Sequence, residues 1–199
     1  MDYRDSMTII EGPSGYSIGL VNDTIYNPDS TDNAMVYDRF YSSRPYKDYN
    51  FPIRHGIWLF KKEEIEKSVC ICSSGGHTGI HPKCFVLHEK NLVMCCADSI
   101  FSLAFPTLDL NWITNADHAT CFGIYKYEHG YIVHGELDIS RLDKAGRIIW
   151  QFSGSDIFTT PTGRNDFKLS GNTIEAVNWD CTKFIIDAQT GQTVTKTKS

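Results

Sequence analysis

The most chemically suggestive stretch of the sequence is a loop of small and polar residues that contains one histidine and is followed by another. Its two glycines allow successive backbone N–H groups to converge on an anion, and its hydroxyl groups add hydrogen-bond donors. A histidine there could supply charge or transfer a proton near neutral pH. We predict that the loop binds a small anionic ligand through Ser73, Ser74, Gly75, Gly76, His77, Thr78 and His81. The alternative is a flexible turn between two repeats, because Gly/Ser clusters mark loops.

Four potential zinc ligands lie in and after this loop, at His77, His81, Cys84 and His88. If the last two belong to one strand they share a face, but at ~3.3 Å per residue they stand roughly 13 Å apart. That span is too wide for two ligands of one tetrahedral zinc ion. We therefore predict no metal site and interpret these side chains as ordinary imidazoles and a buried thiol.

Catalytic constellations are incomplete. Around one predicted hairpin, His134, Glu136, Asp138 and Arg141 could supply a general acid/base pair, but cross-strand charge pairing on a solvated face is the interpretation we prefer. No Gly-x-Ser-x-Gly elbow occurs. The sequence favours a non-enzymatic binding protein. The alternative is a hydrolase of a phosphorylated or cyclic nucleotide, with residues 73–76 holding phosphate and two histidines, His77 and His81, as acid and base.

An aromatic and basic segment lies within residues 27–50, a connection that lacks clear periodicity. A connection of this length is unusual inside a compact domain and is often functional or mobile. Its residues could stack a nucleic-acid base, and they are also types that protein interfaces enrich. We predict an interface formed by Tyr37, Phe40, Tyr41, Arg44 and Tyr46.

Short strands must position these candidates, because helical periodicity is nearly missing from the chain. About sixteen short apolar or alternating segments are separated by turn signals, a pattern typical of a sandwich, barrel or propeller. The clearest region predicts three strands at residues 131–136, 138–143 and 147–152. Gly146 lies between the last two, where a left-handed conformation can close a hairpin with a bulge.

An internal repeat favours the propeller. Segments that end at Trp112, Trp150 and Val194 align, with spacings of 38 and 44 residues. Periods near 40 residues are those of four-stranded propeller blades. The shared pattern is a strand, a strand that ends in Leu or Ile before Asp, a turn with Gly, and a final strand that ends in Trp. The third copy has Val194 where Trp is expected, and the first copy lacks the glycine turn.

This pattern resembles the repeat of quinoprotein-type (PQQ-like) β-propellers, which is also seen in outer-membrane assembly propellers. The resemblance covers residues 91–195, and Leu142, Asp143, Gly146 and Trp150 carry it best. The chain is also similar to short uncharacterised bacterial proteins built from the same repeat, a likeness that implies no activity. We predict an all-β fold: a small β-propeller-like array of about four four-stranded antiparallel blades. It forms one domain over residues 1–199, with residues 27–50 irregular.

The resemblance also implies a quinone cofactor, and the Cys95-Cys96 pair suggests the vicinal disulfide of quinoprotein dehydrogenases. Those enzymes need about eight blades, whereas ~40 residues per blade leaves room here for four or five. Neighbouring residues on a strand also point to opposite faces. We therefore predict no cofactor, and core thiols at both positions.

Composition narrows the partners and the compartment. The net charge of −5 argues against broad binding to nucleic acid, and no apolar run approaches the roughly 20 residues of a membrane span. An odd number of cysteines, seven, and the lack of a signal sequence indicate reduced thiols. We predict a cytoplasmic protein, without membrane contact, that binds a protein partner or a small anionic ligand. The sequence leaves the oligomeric state open.

Overall fold

A computed structural model describes residues 6–48, 51–163 and 166–198 of the chain. Its first sheet has five strands in the order β1-β2-β4-β5-β3. These strands are β1 (Thr8–Glu11), β2 (Tyr16–Asn22), β3 (Arg39–Ser42), β4 (Ile53–Lys61) and β5 (Glu64–Ser73). Single 3-10 turns cover Pro13–Gly15 and Tyr46–Asp48. Strand β3 lies parallel to β5, and the other pairs are antiparallel.

Three further sheets each contain four antiparallel strands in sequence order. The second sheet contains β6 (Phe85–His88), β7 (Asn91–Cys96), β8 (Ser99–Ala104) and β9 (Leu110–Asn115). The third contains β10 (Cys121–Tyr127), β11 (Gly130–Gly135), β12 (Asp138–Leu142) and β13 (Ile148–Ser153). The fourth contains β14 (Phe167–Ser170), β15 (Thr173–Val177), β16 (Thr182–Asp187) and β17 (Thr193–Lys198).

This architecture confirms the predicted all-β array of four blades, and the three strands predicted after residue 130 are β11, β12 and β13. The first blade differs from the prediction in one respect. Within the segment expected to be irregular, residues 39–42 form β3 and add a fifth strand to the edge of the sheet. Its short length and lack of alternating pattern explain why the sequence does not reveal it. Tyr49 and Asn50 lie outside the described residues.

The two tryptophans of the repeat make the same contact in successive blades. The indole N–H of Trp112, in β9, donates to the carbonyl of Lys144 in the next blade at 3.2 Å. The indole N–H of Trp150, in β13, donates to the carbonyl of Ala188 one blade further on, also at 3.2 Å. Each outer strand is therefore fastened to the β-turn of the blade that follows it.

A glycine in each receiving turn makes room for the indole ring. A Cβ atom on Gly146 would lie 2.5 Å from the ring of Trp112, and one on Gly191 would lie 2.7 Å from that of Trp150. Both glycines have positive φ, +79° and +74°, which disfavours other residues. The glycine of the repeat thus serves both the turn and the contact between blades.

The position equivalent to the tryptophans in the last blade is Thr195. In each of the last three sheets the outer strand pair has a β-bulge, and the tryptophan position is the first paired residue after this bulge. The residue pairs at this position are Ser102 with Trp112, Arg141 with Trp150, and Ile185 with Thr195. The sequence alignment, which equated Val194 with tryptophan, is therefore wrong by one residue, because Val194 occupies the bulge. The fourth blade therefore has a threonine, Thr195, where the second and third blades have a tryptophan.

Hydrophobic packing follows the blade order. One cluster joins the first three blades, and a second joins the third and fourth through residues such as Ile132, Phe158 and Ile186. No cluster among the described residues joins the fourth blade to the first. The face of the fourth sheet that points away from the third blade carries Lys168, Glu175 and Lys183 together with the half-buried Val177 and Ile185.

The outward face of the first blade is covered by its own chain. Tyr26 and Tyr37 pack against Trp58 and Phe60 in a third cluster. The Tyr37 hydroxyl donates to Asp23 at 2.8 Å, and burial raises the pKa of Tyr37. Residues between β2 and β3 therefore form a lid over this face of the first sheet.

Six of the seven cysteines are buried and Cys181 is exposed. Cys95 and Cys96 lie in β7, where burial raises the pKa of both thiols. They act as small apolar side chains, in keeping with their sequence context. Among the described residues there is no helix long and apolar enough to cross a membrane.

Candidate functional site

The first half of the predicted ligand loop is built into the contact between the first two blades. The Ser73 hydroxyl is buried and lies 2.5 Å from Asp98 Oδ1 and 3.1 Å from the Ser99 hydroxyl. Arg44 extends the network by an ion pair to Asp98 at 2.9 Å and a hydrogen bond to Ser74. These groups hold two blades together, so Ser73 is not available to a ligand.

The two glycines of the loop allow a close approach to the next blade. A Cβ atom on Gly75 would collide with the carbonyl oxygen of Ala119, and one on Gly76 would collide with the Thr120 hydroxyl. The Gly76 N–H donates to Ala119 at 3.0 Å. This N–H is therefore not free to join an anion-binding nest. His77, the next residue, is exposed.

The second half of the loop borders a cleft. Its volume is about 400 Å³, within the range of small-molecule sites. Three parts of the chain meet there: the connection before β6, strands β10 and β11, and the connection before β14. The lining residues are Thr78, His81, Pro82, Lys83, Phe122, Tyr125, His134, Gly163 and Asp166. Thr78 and His81 of the predicted ligand set are thus brought to a cavity, and the other five are not among its lining residues.

Three side chains with aromatic rings, Phe122, Tyr125 and His134, line one wall of the cleft, and two of them stack on Phe167, which is not a lining residue. His134 stacks on Phe167 with the ring centroids 4.5 Å apart and an interplanar angle of 14°. Tyr125 stacks on the same Phe167 ring at 4.8 Å, and Phe122 meets His134 edge-on at 5.4 Å. A planar ligand can pack against such a wall, because aromatic contacts favour offset stacking and edge-on geometry.

Charged groups of both signs stand at the cleft. Lys83 is exposed, and its carbonyl accepts the Ile124 N–H at 2.8 Å, which fixes the backbone of the connection against β10. Asp166 lies on the opposite connection. Burial, with a further contribution from Asp166, raises the pKa of Tyr125 to about 12. The Tyr125 hydroxyl therefore stays protonated and can donate a hydrogen bond.

Both imidazoles of the cleft are held by the backbone. His81 Nδ1 accepts the Lys83 N–H at 3.2 Å, and the ring also forms a hydrogen bond with the backbone of Phe122. His134 Nε2 lies 2.8 Å from the carbonyl oxygen of Phe158 and donates to it. Burial lowers the pKa of His81, and it lowers that of His134 to about 4. Both rings are neutral at pH 7 and act as fixed parts of the wall.

We expect the buried His134 to make the protein less stable as the pH falls from 7.5 to 5. The unfolded imidazole takes up a proton near pH 6.5 and the folded one only near pH 4, so the unfolded state binds more protons in this window. The decrease in the free energy of unfolding that comes from this one group is about 2 kcal/mol. Urea unfolding at both pH values should show that His134→Gln removes this part of the slope. The exposed His129→Gln is the control, and an unchanged slope in His134→Gln would contradict the assignment.

The predicted interface residues lie on the first blade and its contact with the second. Tyr37 is buried in the lid. Phe40 packs edge-on against Tyr46 at 5.0 Å, and the Tyr41 hydroxyl lies 3.5 Å from the Leu108 carbonyl. Arg44 belongs to the Asp98 network. Apart from Tyr37 these side chains are half-buried, and a protein interface there stays a prediction.

The polar residues of the third-blade hairpin do not form one site. His134 faces the cleft, while the Asp138 carboxylate accepts the Ser153 hydroxyl at 2.5 Å. Arg141 pairs with Glu128 at 2.6 Å. Within residues 6–48, 51–163 and 166–198, no three His, Cys, Asp or Glu side chains are grouped so that they could hold a metal ion.

Sequence reasoning missed most of the cleft. No local sequence motif marks Lys83, Phe122, Tyr125 or Asp166. The sequence suggests a different role for His134, with the polar residues of the third-blade hairpin. These cleft residues come from three connections or strands that lie up to two repeats apart, and only the blade architecture brings them together. Even the repeat gives no signal for these residues, because the other blades lack equivalent side chains.

Two of the other cavities lack the features of this cleft. One, of about 180 Å³, lies between the first and second blades and is lined mainly by polar and charged groups such as Arg39, Glu66 and Lys67. The other, of about 410 Å³, is formed by the turns of the third blade alone around Glu128 and Arg141, which already pair with each other. Neither contains an aromatic stack or a buried imidazole.

The sequence matches no protein-family model, and no curated protein sequence matches it. Solved structures with the same fold do match. BamB from Moraxella catarrhalis aligns with a TM-score of 0.50 at 15% identity, over 72% of this chain and 43% of BamB. The CNH domain of AfRom2 aligns with a TM-score of 0.53 at 10% identity, over 97% of this chain and 54% of that one.

A computationally designed protein, Ika8, also aligns, with a TM-score of 0.53 at 11% identity, over 96% of this chain and 61% of Ika8. The chain therefore has a β-propeller-type fold, and it spans about half the length of these solved structures. At such low identities the similarity shows the fold alone.

Proposed function

We propose that this protein is a non-enzymatic binding scaffold that holds a small aromatic anion in the cleft between residues 78–83, β10, β11 and residue 166. The single observation that carries the proposal is the juxtaposition of Lys83 with an aromatic wall that includes His134 and Tyr125. An ammonium group attracts the anionic part of a ligand, while apolar and aromatic lining buries its ring.

The hydrogen bonding of the histidines favours binding over hydrolysis. A general base needs a ring nitrogen within reach of the reacting proton. His81 uses ring nitrogens in bonds to the backbone, while His77, the other histidine of the hydrolase hypothesis, is exposed and is not among the residues that line the cleft. Ser73 and Gly76, which the hydrolase hypothesis assigned to phosphate, use a hydroxyl and an N–H in contacts between blades. The groups that the hydrolase hypothesis needs for phosphate and proton transfer are thus largely engaged in contacts within the protein.

We also propose that the repeat is of the quinoprotein type, on the pattern Leu142-Asp143, Gly146 and Trp150. The Asp143 carboxylate caps its own turn by accepting the N–H groups of Ala145 and Arg147 at 2.8 and 2.9 Å. Together with the tryptophan contact, this gives every residue of the pattern a structural task. The pattern therefore accounts for the scaffold without a cofactor.

Isothermal titration calorimetry with three probes tests the binding proposal: inorganic phosphate, benzoate and AMP. We expect the two ring-bearing anions to bind more tightly than phosphate, because only they can use the aromatic wall. Lys83→Gln should weaken their binding about tenfold, which is about 1.4 kcal/mol. Lys90→Gln, on the exposed turn between β6 and β7, is the matched control and should bind like the wild type. Equal binding by Lys83→Gln, or no saturable binding of any probe, would overturn the proposal.

A further inference from the structure

A second surface lies at the turns of the third and fourth blades, outside the cleft. Two large apolar side chains are exposed there: Leu137, 39% exposed, and Trp179, 48% exposed. Ile157 lies half-buried on the connection between the two blades. We call these three residues the Trp179 surface. An exposed tryptophan is unusual, because burying its ring is strongly favourable in water.

Backbone hydrogen bonds link the segments that carry these residues. The connection after β13 runs between the two turns: the Phe158 N–H donates to the Glu136 carbonyl at 2.7 Å, and the Trp179 N–H donates to the Ile157 carbonyl at 2.9 Å. Leu137 directly follows Glu136, so the three apolar side chains come from adjacent backbone segments. They therefore stand on hydrogen-bonded neighbouring segments of the third and fourth blades.

Hydrogen bonds of Asn178 hold the turn that carries Trp179. Asn178 is fully buried, and its side-chain oxygen accepts the Thr182 N–H at 3.0 Å. Its amide group donates to the Ser155 hydroxyl at 2.9 Å, and the Cys181 N–H donates to its carbonyl at 3.0 Å. A rigid aromatic side chain loses little conformational entropy on binding, which raises the affinity that a contact can give.

Three acidic residues and one lysine lie beside these apolar residues. Glu136, Asp156 and Asp180 lie next to Leu137, Ile157 and Trp179 in sequence. A hydrogen bond from Thr182 and a contact with Lys198 lower the pKa of Asp180 to about 2, and the Lys198 ammonium lies 3.1 Å from this carboxylate. The Trp179 surface therefore combines an exposed indole with neighbouring carboxylates, which outnumber the one ammonium group beside them.

We propose that the Trp179 surface docks a protein segment in which a lysine or arginine stands beside an apolar side chain. The cation would lie over the Trp179 ring and near the carboxylates, and the apolar side chain would cover Leu137 and Ile157. Cation–π contact and charge complementarity both favour a basic partner, and tryptophan is enriched among interaction hot spots. This inference is independent of the anion cleft.

Selection of a random 12-residue peptide library displayed on phage against the immobilised full chain tests the proposal. We expect enrichment of peptides with a basic residue next to an apolar one. A synthetic copy of the most enriched peptide should bind at least tenfold more weakly to Trp179→Ala and to the triple variant Glu136→Gln/Asp156→Asn/Asp180→Asn. Ile149→Ala, which truncates another exposed apolar residue on β13, is the matched control and should bind normally.

Three results would overturn this proposal. Enriched peptides could lack basic residues, or the enriched peptide could bind Trp179→Ala as well as the wild type. Sedimentation could instead show a wild-type dimer that Trp179→Ala dissociates, in which case a second copy occupies the surface. Far-UV circular dichroism of each variant verifies that it is folded, and Trp179→Phe, which keeps an aromatic ring, should retain more affinity than Trp179→Ala.

Discussion

Replacement of Asp117 by alanine is expected to lower the free energy of unfolding by about 3 to 5 kcal/mol, because it strands several buried N–H groups. The Asp117 carboxylate is 1% exposed. One oxygen accepts the N–H groups of Ala119 and Thr120 at 2.6 and 2.9 Å, and the other accepts those of Leu137 and Asp138 at 2.9 and 2.8 Å. The side chain thus ties the connection after β9 to the turn between β11 and β12.

Urea unfolding of three variants measures this effect. Asp117→Asn keeps the shape but turns an NH₂ group toward two of the donors, so we expect it to be destabilised as well. Asp32→Ala, at an exposed carboxylate in the first blade's lid, should change the free energy of unfolding by less than about 0.5 kcal/mol. A loss below about 1 kcal/mol in Asp117→Ala would contradict the role assigned to this carboxylate.

The second large effect is expected at the contact between blades. Trp150→Ala should cost about 2 to 3 kcal/mol, because it removes a half-buried indole that packs on Gly191 and bonds to Ala188. Trp112→Ala should cost a similar amount, since its contact with Lys144 and Gly146 has the same geometry. Thermal and urea unfolding measure both.

The exposed Trp179 is the internal control for this comparison. Trp179→Ala removes the same type of side chain from an exposed site, where 48% of the residue faces solvent. Its loss in the free energy of unfolding should therefore be below about 1 kcal/mol. Trp150→Phe should lie between the wild type and Trp150→Ala, because it keeps part of the packing and loses the hydrogen bond. Equal costs at positions 150 and 179 would show that the tryptophan of the repeat does not fasten the blades.

The sequence predicts the scaffold well because the contacts between blades use residue types that stand out. Tryptophan is rare, and its spacing of 38 residues between Trp112 and Trp150 reports the size of one blade. Gly146 is needed both for positive φ and for the indole above it. A residue that has two structural roles can be replaced by few other types, so its pattern can be recognised in a single sequence.

Other parts of the fold leave no such pattern. Strand β3 is short and half-buried throughout, so it shows no alternation. The bulge that moves the tryptophan-equivalent position from Val194 to Thr195 is a matter of ladder register, which sequence spacing cannot resolve to one residue. The lid over the first blade uses Tyr26 and Tyr37, whose aromatic character also suits an exposed interface.

The candidate site was predictable only where it overlaps a conspicuous loop. Thr78 and His81 reach the cleft, but the glycines that suggested an anion nest are there to let backbone pass close to Ala119 and Thr120. Glycine signals close approach in both cases, so the sequence cannot separate the two uses. Lys83, Tyr125 and Asp166 become a site only after the blades are packed.

The most direct test of binding in the cleft is heteronuclear NMR of the full chain titrated with AMP. We predict that the largest shifts fall on the ring signals of Phe122 and Tyr125 and on the imidazole of His81, while the exposed His118 and His129 stay unchanged. If the shifts instead center on His118, His129 or the third-blade turns, or if the cleft signals do not move at saturating AMP, the cleft is not the binding site.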